Sequence, residues 1–595
     1  MRLITSLAIL ALAGPAAAQT ARATVQVDTT TVPRSFQGGA AGDDGKAAVA
    51  WKDSVQGIYC STSDDAGQTW GPAVRVDVDG GLQTSKFLAF GSAEAIQMSG
   101  DHIYVIWEDV RDGVTNEIYF NRSIDGGQTF ESGDQNLSQS SAMGYVWTLD
   151  QAMAVVREDD ADDDQVHVVY TVEDGITANC DAGDPTNGPE DVFYTGSIDG
   201  GSSFASPILL SSAAGSGADV DELAICASGD RVYIAWIDSR DACFDDVYFT
   251  YSDDQGANWA PEIALETTGA GDASALTMDC DGLNVVVGWQ EEPGVTTGPE
   301  EARIAVSTDG GVSFATDKLV GDYTPGTDDV DDFKVAYSFG NIVCVIVHDG
   351  AGTNDIYSVT STDDGATFSS EISLTAGLGG SFPRITEGGA EVAVAWSGPQ
   401  SLNAVEGVYS LDGGLTWSST VLINDTPLSD TDFTEIGYDA SKKNVIIAFL
   451  DDQGTGDNNQ NVQRAGGFSI AGPGSATFRN GGTNPASYTA SAPLLGDNFA
   501  ASLDVGSTGN ALGTIVGYLT PLTLPFQGRT ILVNVLDPAG ELLALPLFPG
   551  PIANIVVPIP NDPCLGGLSL STQGIHVGTA PYALSNAQDL VIGAF

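Results

Sequence analysis

The sequence predicts an all-β chain of two domains: a ring of four-stranded sheets over residues 20–469, then a small β-sandwich over 470–595. Three observations predict it. The pattern S-x-D-x-G-x-x-(W/F) returns seven times in register. Each copy is flanked by the same succession of short strands. Near residue 470 the composition changes and the pattern stops.

The boxes begin at "SDDAGQTW" (Ser63 to Trp70) and end at "SLDGGLTW" (Ser410 to Trp417), with aspartates Asp65, Asp125, Asp199, Asp254, Asp309, Asp363 and Asp412. Before each box runs an alternating strand, as in "EIYFNRS" or "DVYFTYS", and before that an apolar strand such as "HIYVIWED" or "RVYIAWID". A shorter strand opens each unit and another follows the box. Four short antiparallel strands per unit of roughly 40–60 residues make the blade of a β-propeller. Eight such units are expected, with seven as the alternative count. The last unit, 434–469, has three strands and no box, while "ATVQVDTT" (23–30) is a strand without a blade. Donating that strand to the last blade hides both orphan edges.

Within a box the Asp carboxylate accepts backbone N–H groups as in an Asx turn. The glycine supplies φ > 0, and the aromatic fills the space beneath the turn. The boxes therefore read as structural turns between a blade's third and fourth strands. As Ca²⁺ loops they are poor, since each offers one or two carboxylates.

The opening "MRLITSLAILALAGPAAAQT" has one Arg, an apolar run and small residues before Gln19, the form of a secretory signal peptide over 1–19. The expected location is secreted or at the cell surface. With 80 acidic against 21 basic residues, the formal charge of −59 repels nucleic acid and anionic membranes, and no stretch suits membrane insertion. Acid clusters at 158–165, 328–332 and 451–459 read first as solvated turns. No motif requires a cofactor; Ca²⁺ is the ion these oxygen-rich clusters suit. The four His are scattered, so zinc spacing is absent, and no phosphate loop or G-x-S-x-G elbow appears.

The boxes resemble the Asp-box, or BNR, repeats of the sialidase superfamily, over roughly residues 23–469. The resemblance implies that the boxes lie opposite the ligand face. That face then carries the loops between second and third strands and those joining blades. There "WEDVRD" and "WIDSRD" repeat, reading as Asp109–Arg111 and Asp238–Arg240 braces or as a charged rim that binds ligand. Active sialidases use three arginines, a Tyr–Glu nucleophile pair and an Asp acid. Arg34 in "VPRSF" and Arg384 in "FPRIT" echo the first arginine's motif, and Arg111, Arg240, Arg303 and Tyr323 complete the catalytic candidates. No full set assembles. Tyr145 and Trp147 are candidates for stacking on a sugar face.

Seven Cys in an exported chain permit disulfides. Cys180 and Cys243 lie in equivalent loops of consecutive blades and are the expected bridge, with Cys226–Cys280 second. From Ala471 onward there are no Lys, two Arg (Arg479, Arg529) and 13 of the 26 Pro. Short strands between Pro and Gly turns read there as a sandwich. "GPGSATFRNGGTNPASYTASAPLLGDNF" resembles the start of C-terminal modules of exported bacterial repeat proteins. The functional expectation is non-catalytic recognition of carbohydrate or another extracellular ligand. Exo-sialidase activity is the alternative, and a structural or adhesive surface role the second alternative.

Overall fold

In the computed structural model the described residues are 24–27 and 38–593, apart from 53–56, 79–85, 88–94, 112–115, 140–146, 159, 174–189, 212–218, 242–243, 267–270, 293–298, 322–328, 350–353, 399–403, 425–430, 442, 452–461, 471–474, 481–483, 494–497, 537–542, 546, 560–568 and 579–580. The chain divides into two compact units, Ala21–Ile470 and Ala471–Phe595.

The first unit is a β-propeller. Among the described residues it holds eight antiparallel sheets, numbered here as blades 1–8. Blade 4 shows the plan: Val220–Ser228, Arg231–Asp241, Phe244–Ser252 and Ile263–Ala264, paired in chain order. Blade 2 carries a fifth short strand, since Lys86–Phe87 and Ile96–Ser99 both pair with His102–Asp109. Each blade's first strand lies beside the first strand of the next, and that of blade 8 returns to that of blade 1, so first strands form the inner wall. In blade 8, Val25–Gln26 pairs with Val462–Ser469, Val25 opposite Ala465. The N-terminal strand thus supplies the fourth strand that the closing blade lacks.

Second strands are buried on both faces and read as continuous apolar runs, since blades pack on either side. At one level of this layer Trp51, Trp107, Tyr170, Trp236, Trp289, Ile346, Trp396 and Phe449 are all buried. Several stack on the residue opposite them in the third strand, as Trp236 does on Tyr248 and Trp107 on Tyr119.

The box turns share one hydrogen-bond scheme. In the second, Ser123 Oγ donates to Asp125 Oδ1 (2.8 Å) and accepts the Gly127 N–H (2.9 Å). Asp125 in turn accepts the N–H and hydroxyl of Thr129 at 2.8 and 2.6 Å. Asn258 replaces the hydroxyl in the fourth box, donating its amide to Asp254 at 2.6 Å. The box aromatic lies beneath its own turn, as Trp259 does with Nε1 donating to the Gly256 carbonyl at 3.1 Å, and it also packs on the preceding blade, which the sequence did not indicate. Trp259 meets Tyr194, and Phe314 meets Phe249, both at 4.7 Å between centroids.

The second unit is a sandwich. A six-stranded sheet is built around Leu512–Tyr518, Ser569–Val577 and Ala583–Val591, and a three-stranded sheet comprises Tyr488–Ala490, Asn498–Asp504 and Ile552–Pro558. Tyr488, Phe499, Leu503 and Ile555 from one sheet share a core with Ile515 and Leu590 from the other. A separate two-stranded hairpin pairs Pro521–Phe526 with Arg529–Val533.

Candidate functional site

The inner wall carries a column of equivalent positions. Each faces the residue just before the buried aromatic or aliphatic of its second strand. The register pairs are Gly39 with Ala50, Ala152 with Val169, Ala224 with Ala235 and Thr277 with Gly288. Blades 6, 7 and 8 put Lys334, Arg384 and Glu435 at this level, opposite Val345, Ala395 and Ala448. Small residues on one side and long charged ones on the other leave a cavity of about 240 Å³ in the axial channel. Its wall includes Thr277, Asp279, Lys334, Arg384, Glu387 and Glu435.

Bulges bring these side chains inward. In blades 3 to 8 the pairing of first with second strand slips near the start of the first strand, for instance between Ser381 and Arg384 and between Val220 and Glu222. A bulge re-aims the residues beside it, and such bulges cluster at binding sites. The strand begins on the face away from the boxes, so the slips lie at that mouth.

The charged groups are interlinked. Arg384 donates Nε and Nη2 to Glu435 Oε1, both at 3.4 Å, and Nη1 to the Pro383 carbonyl at 3.2 Å. Lys334 Nζ donates to Asp332 Oδ1 at 2.6 Å and the Phe333 carbonyl at 3.1 Å. Burial raises the Glu435 carboxyl, and Arg384 and Lys334 pull it back in part. Glu222 accepts the N–H groups of Ala275 (2.8 Å) and Leu276 (2.5 Å), joining blades 4 and 5. Toward the box face, Asp279 accepts the Tyr337 N–H at 2.7 Å and joins blades 5 and 6. Burial pushes the Asp279 carboxyl up to about 6. Burial, then the charges of Asp279 and Asp281, pushes Glu387 up to about 8.

Of the catalytic candidates read from sequence, Arg384 lines the cavity. Three others lie on or just beyond second and third strands and do not line the cavity. Arg111 pairs with Asp109 (2.8 Å) and Asp134 (3.0 Å) and lies over the Tyr119 ring at 3.6 Å. Arg240 pairs with Asp238 and Glu262 and lies over Tyr248 at 3.9 Å. Arg303, on a third strand, pairs with Glu301 (3.1 Å) and Asp317 (2.7 Å). Asp109 and Asp238 are buried beneath these arginines, so the Asp–Arg pairs brace the loops and cap the Trp–Tyr stacks. Trp147 opens the first strand of blade 3, opposite Glu173. Arg34, Tyr145, Tyr323, Cys180 and Cys243 lie outside the described residues.

Sequence reading missed Lys334, Glu435, Asp279, Glu387 and Glu222. For Lys334 and Glu435 the available signal was the column itself: aligned on the large buried residue of strand two, three blades show a charge where the others show Gly, Ala or Thr. Cys226 and Cys280 form a disulfide between the first strands of blades 4 and 5, with Cα atoms 6.1 Å apart. Among the described residues no helix is long and apolar enough to cross a membrane, and no three His, Cys, Asp or Glu converge as a metal cage.

No protein-family model and no curated protein matches this sequence. Solved structures do show likeness. A polysaccharide lyase, a PL25 ulvan lyase bound to -[GlcA(1-4)Rha3S]-, is 11% identical with a TM-score of 0.38, covering 75% of this chain and 94% of its own. A leech intramolecular trans-sialidase is 11% identical with a TM-score of 0.35, covering 76% and 94%. An α-L-arabinofuranosidase of Fusarium graminearum is 12% identical with a TM-score of 0.33, covering 57% and 98%. At such distances the site is read from this chain's own geometry.

Proposed function

We propose that this chain is an exported recognition protein that binds a carbohydrate at its axial channel without cleaving it. The observation that carries this reading is the division of the arginines. Arg384 alone of the described candidates reaches the cavity, while Arg111, Arg240 and Arg303 are committed to ion pairs with acids outside the cavity wall. A three-arginine clamp on a sugar carboxylate is therefore not assembled among the described residues. The cavity instead alternates donors and acceptors: Lys334 and Arg384 beside Glu435, Glu387, Asp279 and the Thr277 hydroxyl. Mixed donors and acceptors suit hydroxyl groups, which need both. At about 240 Å³ it lies below the roughly 300–1,000 Å³ of drug-sized sites, so it takes one sugar residue at a chain end. With three acids to two bases on its wall, it favours neutral sugars over sialic or uronic acids.

A glycan array followed by calorimetry on the full chain tests this, alongside turnover of a fluorogenic sialoside. Neutral glycans should bind, Arg384→Ala should weaken binding at least tenfold, and the sialoside should stay intact. Sialoside turnover, or full affinity in Arg384→Ala, would sink the reading.

A further inference from the structure

Each first strand begins at the mouth away from the boxes, and in blade 7 that beginning carries an aromatic ring. Ser381 pairs with Ser397 and Arg384 with Ala395, so Phe382 and Pro383 bulge out opposite Trp396. Pro383 is buried, whereas Phe382 is 51% exposed. Among the described side chains, no other first strand exposes a large apolar residue. The strand has its own second strand behind it and the first strands of blades 6 and 8 at either side. Solvent therefore reaches Phe382 through the channel mouth, two residues along the chain from Arg384, which lines the cavity.

Neither the backbone nor the core accounts for this ring. Phe382 has a φ of 53°, and a bulky residue in the left-handed region is an outlier that costs stability. Blade 5 makes the same bulge without a ring. There Ala275 holds the equivalent place opposite Trp289, at a φ of 51°, between Ser274 paired with Gln290 and Thr277 paired with Gly288. Strain of this kind persists where the surroundings fix it, and it gathers at ligand sites. A phenyl group has no donor or acceptor; it offers an apolar face with negative charge concentrated above it. The C–H groups on one face of a neutral pyranose are its complement. With about 240 Å³, the cavity holds the terminal residue of a glycan and leaves the next one outside.

We infer that Phe382 is the platform for that next residue: a neutral glycan enters the mouth end first, its terminal sugar in the cavity and its second ring stacked on Phe382. The inference rests on the reading of the channel as a carbohydrate site. It adds a direction of entry and a requirement for a second sugar residue.

Calorimetry on the full chain tests it, with maltose, cellobiose, lactose and mannobiose each set against the methyl glycoside of its terminal sugar. Wild type should prefer a disaccharide over its methyl glycoside by roughly tenfold, from the apolar face buried on the ring. Phe382→Ala should lose that preference, and Phe382→Tyr should keep it. Phe382→Gly should lose it too while melting no lower than wild type, because glycine adopts positive φ without strain. If a methyl glycoside binds and Arg384→Ala weakens it, yet Phe382→Ala keeps the disaccharide preference, the platform falls and the channel reading stands. If none of these sugars binds, both fall. A Phe382→Gly variant that melts several degrees below wild type would show the ring to be structural, and would also overturn the inference.

Discussion

Phe204 meets Phe120 edge-on across the seam between blades 3 and 2, their ring centroids 4.8 Å apart. The box thus does two things at once. Its Ser and Asp close a turn within one blade, while its aromatic and glycine press on the third strand of the blade before. A Cβ on Gly201 would come within 2.5 Å of the Phe120 ring, and one on Gly311 within 2.7 Å of Phe249. The seven glycines equivalent to Gly201 have φ between 75° and 87°. Glycine is therefore required there both for its backbone and for the absence of a side chain.

Gly256→Ala should show both penalties. Its φ is 83°, and the added Cβ would lie 2.0 Å from Tyr194 Oη. Gly229→Ala is the control, since its φ is 59° but nothing lies within 4 Å of the added carbon. Backbone strain alone costs about 1–3 kcal/mol. Thermal melting should place Gly256→Ala well below Gly229→Ala, with glycan binding kept in both. Equal melting would mean that the box does not press on the neighbouring blade.

Removing residues 20–30 should destabilise the propeller strongly. The deletion takes away the strand that pairs with Val462–Ser469, together with Val27, which is buried against Trp51 and Ile446. Closure of the ring depends on that strand, and its loss bares an edge. A truncated chain that melts within a degree or two of the full one would refute the role given to the strand.

The fold was legible because it is written seven times. A single S-x-D-x-G-x-x-(W/F) match is noise, but seven in register fix where each third strand ends and each fourth begins. The channel was less legible. Lys334, Arg384 and Glu435 share a level only through strand register, and bulges near the start of the first strands of blades 3 to 8 shift the sequence count by one or two residues. Arg111 and Arg240 drew attention for the opposite reason: they recur in a motif, and recurrence here marks a brace. Glu387 and Asp279 gave no sequence signal, since an acid in a short strand of an acidic protein looks like a solvated edge until the ring closes around it.

Peptide mapping without reductant should recover Cys226 joined to Cys280. Cys60 and Cys344 should resist alkylation in the native protein. Both are buried, and burial raises each thiol, that of Cys60 to about 12, so almost no thiolate forms at neutral pH. Cys180 is expected to be joined to Cys243. Recovery of Cys180 as an alkylated thiol, or bound elsewhere, removes that bridge, and rapid native labelling of Cys60 would contradict its place in blade 1.

Stability should peak at mildly acidic pH and fall toward neutrality. Burial holds Asp279 up at about 6 and Glu387 at about 8 in the folded chain, whereas an unfolded chain releases these protons near pH 4. Between those limits the folded state binds more protons than the unfolded one, so unfolding free energy declines as pH rises. Each pH unit of separation is worth ~1.4 kcal/mol per group before solvent screening. The box carboxylates act in the opposite sense. Asp254 is held below its ordinary value by the Asn258 amide and backbone N–H, and Asp363 by the Thr367 N–H and hydroxyl, so their contribution is present above about pH 4 and lost below it. Melting temperature measured in chelator should therefore rise from pH 3 to about 5 and then decline to pH 8. Glu387→Gln cannot ionise and should flatten the decline between pH 5 and 8 while leaving the acid limb unchanged. A wild-type curve that keeps rising to pH 8, or a Glu387→Gln curve parallel to it, would show that Glu387 is ionised and solvated in the channel.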